Sequence, residues 1–243
     1  MDSTDNSNYW AGSEPIPPEG PQPFLRLPLA VSLLAGALLL SHLARTLLPA
    51  AASDTIVAEY AFIPARYSTA FLAAHHLDGG SLFARAVPFV SYLFIHANWT
   101  HVALNTLWLL AFGPPVARRF GVLRFFLLFL LCGIAGAAVQ LASGWGSADP
   151  VIGASAGVAG LMGICFRIIG QAPLSAQPRG ALAPLFSQRI LVWSAVWVVL
   201  NIFAGVTGLG SGPGAPQMIA WQAHLGGYFA GLLLCGLFDP LGG

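Results

Sequence analysis

The stretch Ile190–Phe238, ILVWSAVWVVLNIFAGVTGLGSGPGAPQMIAWQAHLGGYFAGLLLCGLF, contains no Asp, Glu, Lys or Arg. A Gly/Pro-rich interval divides it into two apolar runs, each near the length of about 20 residues that a helix needs to cross a hydrocarbon core. The rest of the chain follows the same pattern. Of its 243 residues 56% are hydrophobic and 8% charged, against roughly 25% charged in an ordinary soluble domain. Such a chain cannot cover a globular surface with charge, and it reads as an all-α protein that crosses a membrane several times.

Four more apolar segments extend the series. The expected spans are Leu27–Leu48, His101–Ala117 with an approach from Phe89, Phe120–Leu141, Ser155–Ile169, Ile190–Val206 and Ile219–Phe238. Weak period-2 alternation favours a helical bundle over a barrel. Arginines in short loops set the orientation. Arg118, Arg119 and Arg124 flank one connection, Arg167, Arg179 and Arg189 another, and Arg26 precedes the first span. With six spans all of these lie on one side, so both termini are expected to be cytoplasmic. Residues 1–23 are polar, acidic and Pro-rich, and read as a disordered cytoplasmic tail; residues 24–243 form one membrane domain without an internal repeat.

Composition excludes several functions. The ten basic residues are all Arg, so there is no lysine for a Schiff base or a P-loop. A net charge of +1 offers no basic patch for nucleic acid. Three cysteines, Cys132, Cys165 and Cys235, lie in apolar segments and read as small packing residues rather than a disulfide framework.

Polar side chains inside spans mark function, and three groups stand out. His96, His101 and Asn105 open the second span, with His101 and Asn105 four apart on one helical face. Gly153-Ala154-Ser155-Ala156-Gly157 opens the fourth. This string matches the nucleophile elbow of soluble hydrolases, but that elbow needs a preceding strand that a membrane segment lacks. His224 lies in the sixth span with Gly227 and Gly231 at +3 and +7, on one side of the helix. The glycines of the fourth and sixth spans permit close helix approach, which would bring Ser155 and His224 together. Three polar clusters on three spans exceed what packing requires and point to chemistry.

In order and spacing these motifs resemble the rhomboid family of intramembrane serine proteases. The resemblance runs from Phe89 to Phe238 through H-x4-H-x3-N, G-x-S-x-G and A-H-x-x-G-x3-G. It implies a six-helix rhomboid-like bundle with its active site open to the outside. Ser155 is then the nucleophile and His224 its general base and later acid. Asn105 and His101 are oxyanion donors together with the Ser155 backbone N–H, and His96 and Gly153 support the site. The expected substrates are single-span membrane proteins, cleaved in the lipid bilayer without a cofactor or metal. The absence of lysine beside abundant Ala, Gly and Arg suggests a GC-rich bacterial genome and hence the bacterial inner (cell) membrane.

The physics of the residues runs parallel. A serine hydroxyl needs an adjacent base, and with no Asp or Glu in the core of any span the pattern reads as a dyad. Tyr228, near His224, is a candidate to help orient the imidazole, and His96, Asn98, His101, Asn105 and Gln222 to line a wet cavity. The Gly/Pro-rich Val206–Gln217 interval reads as a mobile cap. Three positions depart from the family pattern: Val87-Pro88 replaces a Trp-Arg pair, Ala117 an acidic residue, and Ala156 a glycine. Rival readings are a rhomboid-like peptidase that processes C-terminal sorting tags, a non-catalytic binder of transmembrane helices, and a metalloprotein using His96, His101 and His224.

Overall fold

The computed structural model describes residues 27–169, 180–208 and 220–240. The tail 1–23, Arg26, Arg179 and residues 209–217 of the interval read as a cap fall outside them, while the start of that interval, Val206 and Thr207, lies on helix. Within the described residues the chain is helical, and its one piece of β pairing is an isolated bridge between Phe62 and Val151. The apolar segments all lie on helix: α1 (Leu29–Thr46), α6 (Trp99–Ser143), α7 (Ser155–Ile169), α8 (Gln188–Thr207) and α9 (Trp221–Phe238). Among the described residues α1, α6 and α8 are long and apolar enough to cross a membrane.

The second and third apolar segments belong to one 45-residue helix that breaks at Gly121, where φ is +73° and ψ 176°. A side chain rarely adopts that backbone, and glycine does so without a steric penalty. The break divides α6 into limbs 99–120 and 122–143, which makes the chain double back without a loop. The hydropathy pattern locates this reversal to within a few residues, although it cannot tell a broken helix from two separate ones.

α7 is the centre of the bundle. Every residue from Ala156 to Cys165 is buried, packed between α6 and α9. No charged side chain interrupts that run, and the first residue, Ser155, is its only hydroxyl. α1 packs on α6, burying Val31, Leu34 and Leu38 and leaving Leu33, Leu40 and Leu43 outside. α8 is more one-sided: only Ile190, Asn201 and Gly205 are buried, while Val196, Val199, Leu200 and Phe203 face outward. Outward apolar side chains and inward small or polar ones suit a helix solvated by lipid.

The long connection between α1 and α6 folds into short helices, α2 (Ala50–Tyr60), α3 (Thr69–Ala74), α4 (Leu82–Ala86) and α5 (Pro88–Ser91), plus two 3-10 turns. The Phe62–Val151 bridge pins it to the segment that leads into α7, with N–O distances of 3.1 and 2.8 Å. Phe62 is fully buried against the rings of Tyr67, Phe89 and Tyr92.

At the Gly121 end the bundle is fastened by charge. Arg119 binds Asp239 through two hydrogen bonds, Nε to Oδ1 at 2.9 Å and Nη2 to Oδ2 at 2.7 Å. Both side chains are nearly buried, at 9% and 5% exposure. Arg119 also donates to the Gly180 carbonyl at 2.6 Å, and Arg167 donates to the carbonyls of Ala183 and Leu232. Breaking a buried pair by removing one partner strands the other charge. Asp239→Asn should therefore lower stability by about 3 kcal/mol, and Arg119→Ala by at least as much. Thermal unfolding in detergent, with the double variant, checks this: the double variant should cost less than the sum of the two singles.

Candidate active site

The segment before α7 is held by the loop before α6. Gly153 N–H donates to the Tyr92 carbonyl at 2.9 Å, and Ala154 N–H donates to His96 Nε2 at 3.3 Å. His96 is fully buried, and its own carbonyl accepts from Arg45 Nη2. Arg45 also donates to Ser53 Oγ at 2.7 Å. The motif histidine thus sets the height at which α7 begins. Gly153 has φ +115°, and a Cβ built there would lie 2.7 Å from His101 Nε2, so the position is closed to other residues on both grounds.

Ser155 is the first residue of α7, where backbone N–H groups lack intrahelical acceptors and the helix dipole is positive. Its Oγ lies 2.7 Å from His224 Nε2, across two helices that almost touch. A Cβ at Gly227 would stand 2.0 Å from the Ala156 carbonyl oxygen, and one at Gly231 would stand 2.1 Å from that of Gly160. Small residues in a lipid environment permit such packing. Ala156, one of the departures from the family pattern, is accommodated because its methyl rests against Gly136.

On the far side of the imidazole, His224 Nδ1 is 2.8 Å from Asn201 Oδ1. Asn201 Nδ2 in turn donates to the Trp221 carbonyl at 3.0 Å. Asn201 lies outside every motif, although it carries the same signal as Ser155 and His224, a polar side chain inside an apolar span. Tyr228, read as a possible aid to the imidazole, uses its hydroxyl on Ser194 at 2.7 Å and stacks its ring on Trp197.

His101 and Asn105 stand above the start of α7. Asn98, read as a cavity residue, instead caps α6 by accepting from His101 N–H at 2.8 Å, since an N-terminus needs such an acceptor. His101 Nδ1 accepts from Ala97 N–H at 3.4 Å, which leaves Nε2 to carry the proton on the side that faces Gly153. Asn105 Nδ2 bonds back to the His101 carbonyl at 2.9 Å. A cavity of about 240 Å³ opens beside these groups. Asn105, Ser155, Asn201 and His224 form its polar lining, and Trp108, Phe112, Met162 and Trp197 form much of the rest. Of the five residues read from the sequence as lining a wet pocket, Asn105 lines it and His96, Asn98, His101 and Gln222 do not: His96 Nε2 is used on Ala154 N–H and Asn98 on the helix cap.

The three imidazoles of the metalloprotein reading do not converge: among the described residues no three His, Cys, Asp or Glu side chains are arranged to hold a metal. His96 Nε2 serves Ala154, and both nitrogens of His224 are engaged.

Residues 84–239 match the family model described as the Rhomboid domain. The chain is similar to the rhomboid protease GlpG of Serratia proteamaculans (strain 568), 28% identical over 148 residues, 60% of this chain and 45% of that protein. It is also similar to RHOMBOID-like protein 9, chloroplastic, of Arabidopsis thaliana, 36% identical over 81 residues, 33% of this chain and 16% of that protein. The matches span less than half the length of either relative.

The α7–α9 contact can be tested directly. In Gly227→Ala the added methyl must displace a backbone carbonyl, and a shift near 1 Å between reacting groups costs about 100-fold in rate. Labelling of Ser155 by a fluorophosphonate should fall by that order. Gly36→Ala, where an added Cβ meets nothing within 4 Å, should label like the parent chain.

Proposed function

We infer the function from the premise that this chain belongs to the rhomboid family, and propose that it is an intramembrane serine endopeptidase cleaving transmembrane segments of single-span membrane proteins. The observation that carries the proposal is the 2.7 Å contact between Ser155 Oγ and His224 Nε2 at the N-terminus of a buried helix. A serine hydroxyl held by an imidazole nitrogen is the arrangement that nucleophilic acyl transfer requires.

In this reading His224 Nε2 takes the Ser155 proton as Oγ bonds to the scissile carbonyl carbon. The oxyanion that forms is met by the Ser155 backbone N–H, by His101 Nε2–H, and by Asn105 Nδ2 once it exchanges its bond to the His101 carbonyl for the substrate. The Ser155 and His101 donors are in place before charge develops and need no rearrangement of solvent. His224 then returns the proton to the leaving amine nitrogen as the C–N bond breaks. Water attacks the acyl-serine with His224 again as base, and Ser155 regains its proton when the ester opens. The aromatic wall of Trp108, Phe112 and Trp197 beside the reacting groups suits an apolar side chain from an unwound substrate helix.

We place six spans, with the limbs of α6 counted separately and both termini cytoplasmic. Arg118, Arg119, Arg124, Arg167 and Arg189 lie toward one side of the bundle, and excess arginine marks the cytoplasmic side. Ser155 starts α7 at the opposite end from the Arg119–Asp239 pair, so the site opens outward. The protein is an integral membrane protein; its assignment to a bacterial inner membrane rests on composition and on the Serratia relative.

The test is cleavage of a panel of single-span reporters in proteoliposomes, together with fluorophosphonate labelling. Ser155→Ala and His224→Ala should each reduce cleavage by at least about 1,000-fold, and Ser155→Ala should abolish labelling. Cleavage that survives both substitutions overturns the proposal. Binding of reporters by the wild type without any cleavage would indicate the non-catalytic relative instead.

A further inference from the structure

We propose that Asn201 is the positioning residue of the site, fixing the tautomer and plane of His224 and extending the pair into a neutral chain of Ser155, His224 and Asn201. The proposal rests on the serine-protease reading above and adds to it a residue on a helix that none of the motifs touches.

The hydrogen-bond chain starts at the Trp221 carbonyl. A carbonyl oxygen can only accept, so the Asn201 group 3.0 Å away from it is the amide nitrogen. That assignment sets the other end of the amide: Oδ1, which also can only accept, faces His224 Nδ1 at 2.8 Å. His224 Nδ1 must then carry its proton, because an acceptor facing a bare nitrogen would be repelled. A neutral imidazole has one N–H, so Nε2 is bare and accepts from the Ser155 hydroxyl at 2.7 Å. Each step follows from the donor or acceptor character of the preceding atom. The chain ends with the base in the tautomer that can take the serine proton.

The packing of α8 is consistent with this role. Asn201 is one of only three buried residues on the helix, and it is turned inward while its neighbours Leu200 and Ile202 are exposed. One turn later Gly205 leaves room for the Trp221 ring, since a Cβ there would lie 2.4 Å from Trp221 Cδ1. Asn201 and Gly205 therefore seat α8 on the first turn of α9 at the level of the imidazole. The ionisable neighbour that faces His224 from α6 is His101. In soluble serine hydrolases the orienting group is a carboxylate. A carboxylate at membrane depth is expensive, whereas an amide supplies the same acceptor without a charge.

The test uses the full-length protein in proteoliposomes with Asn201→Ala and Asn201→Asp, and has two independent readouts. The first is the tautomer of His224, read from the nitrogen chemical shifts of 15N-histidine with His224→Gln as the assignment control. The parent should show Nδ1–H, and Asn201→Ala should show a mixture of tautomers. The second is kinetic. Asn201→Ala should lower kcat and the rate of fluorophosphonate labelling by about 100-fold, with KM unchanged, measured well below a thermal midpoint that falls because the Trp221 carbonyl loses its donor. Asn201→Asp keeps an acceptor for His224 Nδ1 but sets its second carboxylate oxygen against the Trp221 carbonyl, so it should recover labelling only in part. Because the carboxylate favours the imidazolium, the neutral base is reached only at higher pH and the acid limb of kcat/KM should move to higher pH. An Nε2–H tautomer in the parent, or Asn201→Ala retaining kcat and labelling rate, overturns the proposal. A parent with the Nδ1–H tautomer but no Ser155-dependent cleavage or labelling would overturn the protease reading and with it the catalytic role of Asn201.

Discussion

The distance between α7 and α9 is the constraint on which the site depends. Water-driven hydrophobic association is absent between helices in lipid, so their separation is set by how closely the backbones can fit. Gly227 and Gly231 place their Cα atoms against the carbonyls of Ala156 and Gly160. At that separation a serine at the start of one helix and a histidine one turn before Gly227 on the other reach hydrogen-bond distance in direct contact. Larger residues would leave the same two side chains on the same faces but out of reach. The Ser155–His224 contact is therefore a consequence of backbone contact below it, and the loop that begins α7 sets only its height.

The second constraint is the low dielectric of the surroundings. A charge in this interior would need a partner, and the chain places its buried ion pair, Arg119 with Asp239, at one end of the bundle, away from Ser155. The groups around Ser155 are hydroxyl, imidazole, amide and carbonyl. Such groups can be satisfied by hydrogen bonds alone, and they reinforce one another when linked in series. The arrangement is polar enough to direct a proton and carries no permanent charge in the resting form.

The amino-acid sequence makes much of this legible, and the limits are physical. Helix positions follow from apolar run length, since span length is fixed by bilayer thickness. The serine, the histidine and the glycines around them stand out because polar groups and small residues are conspicuous in apolar runs. Asn201 follows the same rule but lies on a helix without a motif, and its importance depends on rotation: only the packing of α8 shows that it faces His224 while Leu200 and Ile202 face out. Gly121 was hidden for another reason. Hydropathy records where the chain leaves the apolar phase, and a positive φ at one glycine leaves no trace in it. The short helices between α1 and α6 have little apolar periodicity, and are fixed by distant partners such as Val151 for Phe62.

Two positions where the resemblance leads one to expect polar anchors, Val87-Pro88 and Ala117, carry none. The loop before α6 is held from α1, where Arg45 reaches the His96 carbonyl and Ser53. Arg119 with Asp239 fastens the end of the bundle near Ala117. In both cases a guanidinium bridges elements far apart in sequence. Arginine suits this role because its planar fork satisfies several acceptors at once and is more weakly hydrated than an ammonium. Its use at both anchors fits a chain with ten arginines and no lysine: charge is confined to the rims, where it holds loops and helix ends, and the centre is left to neutral hydrogen bonds and close glycine contacts.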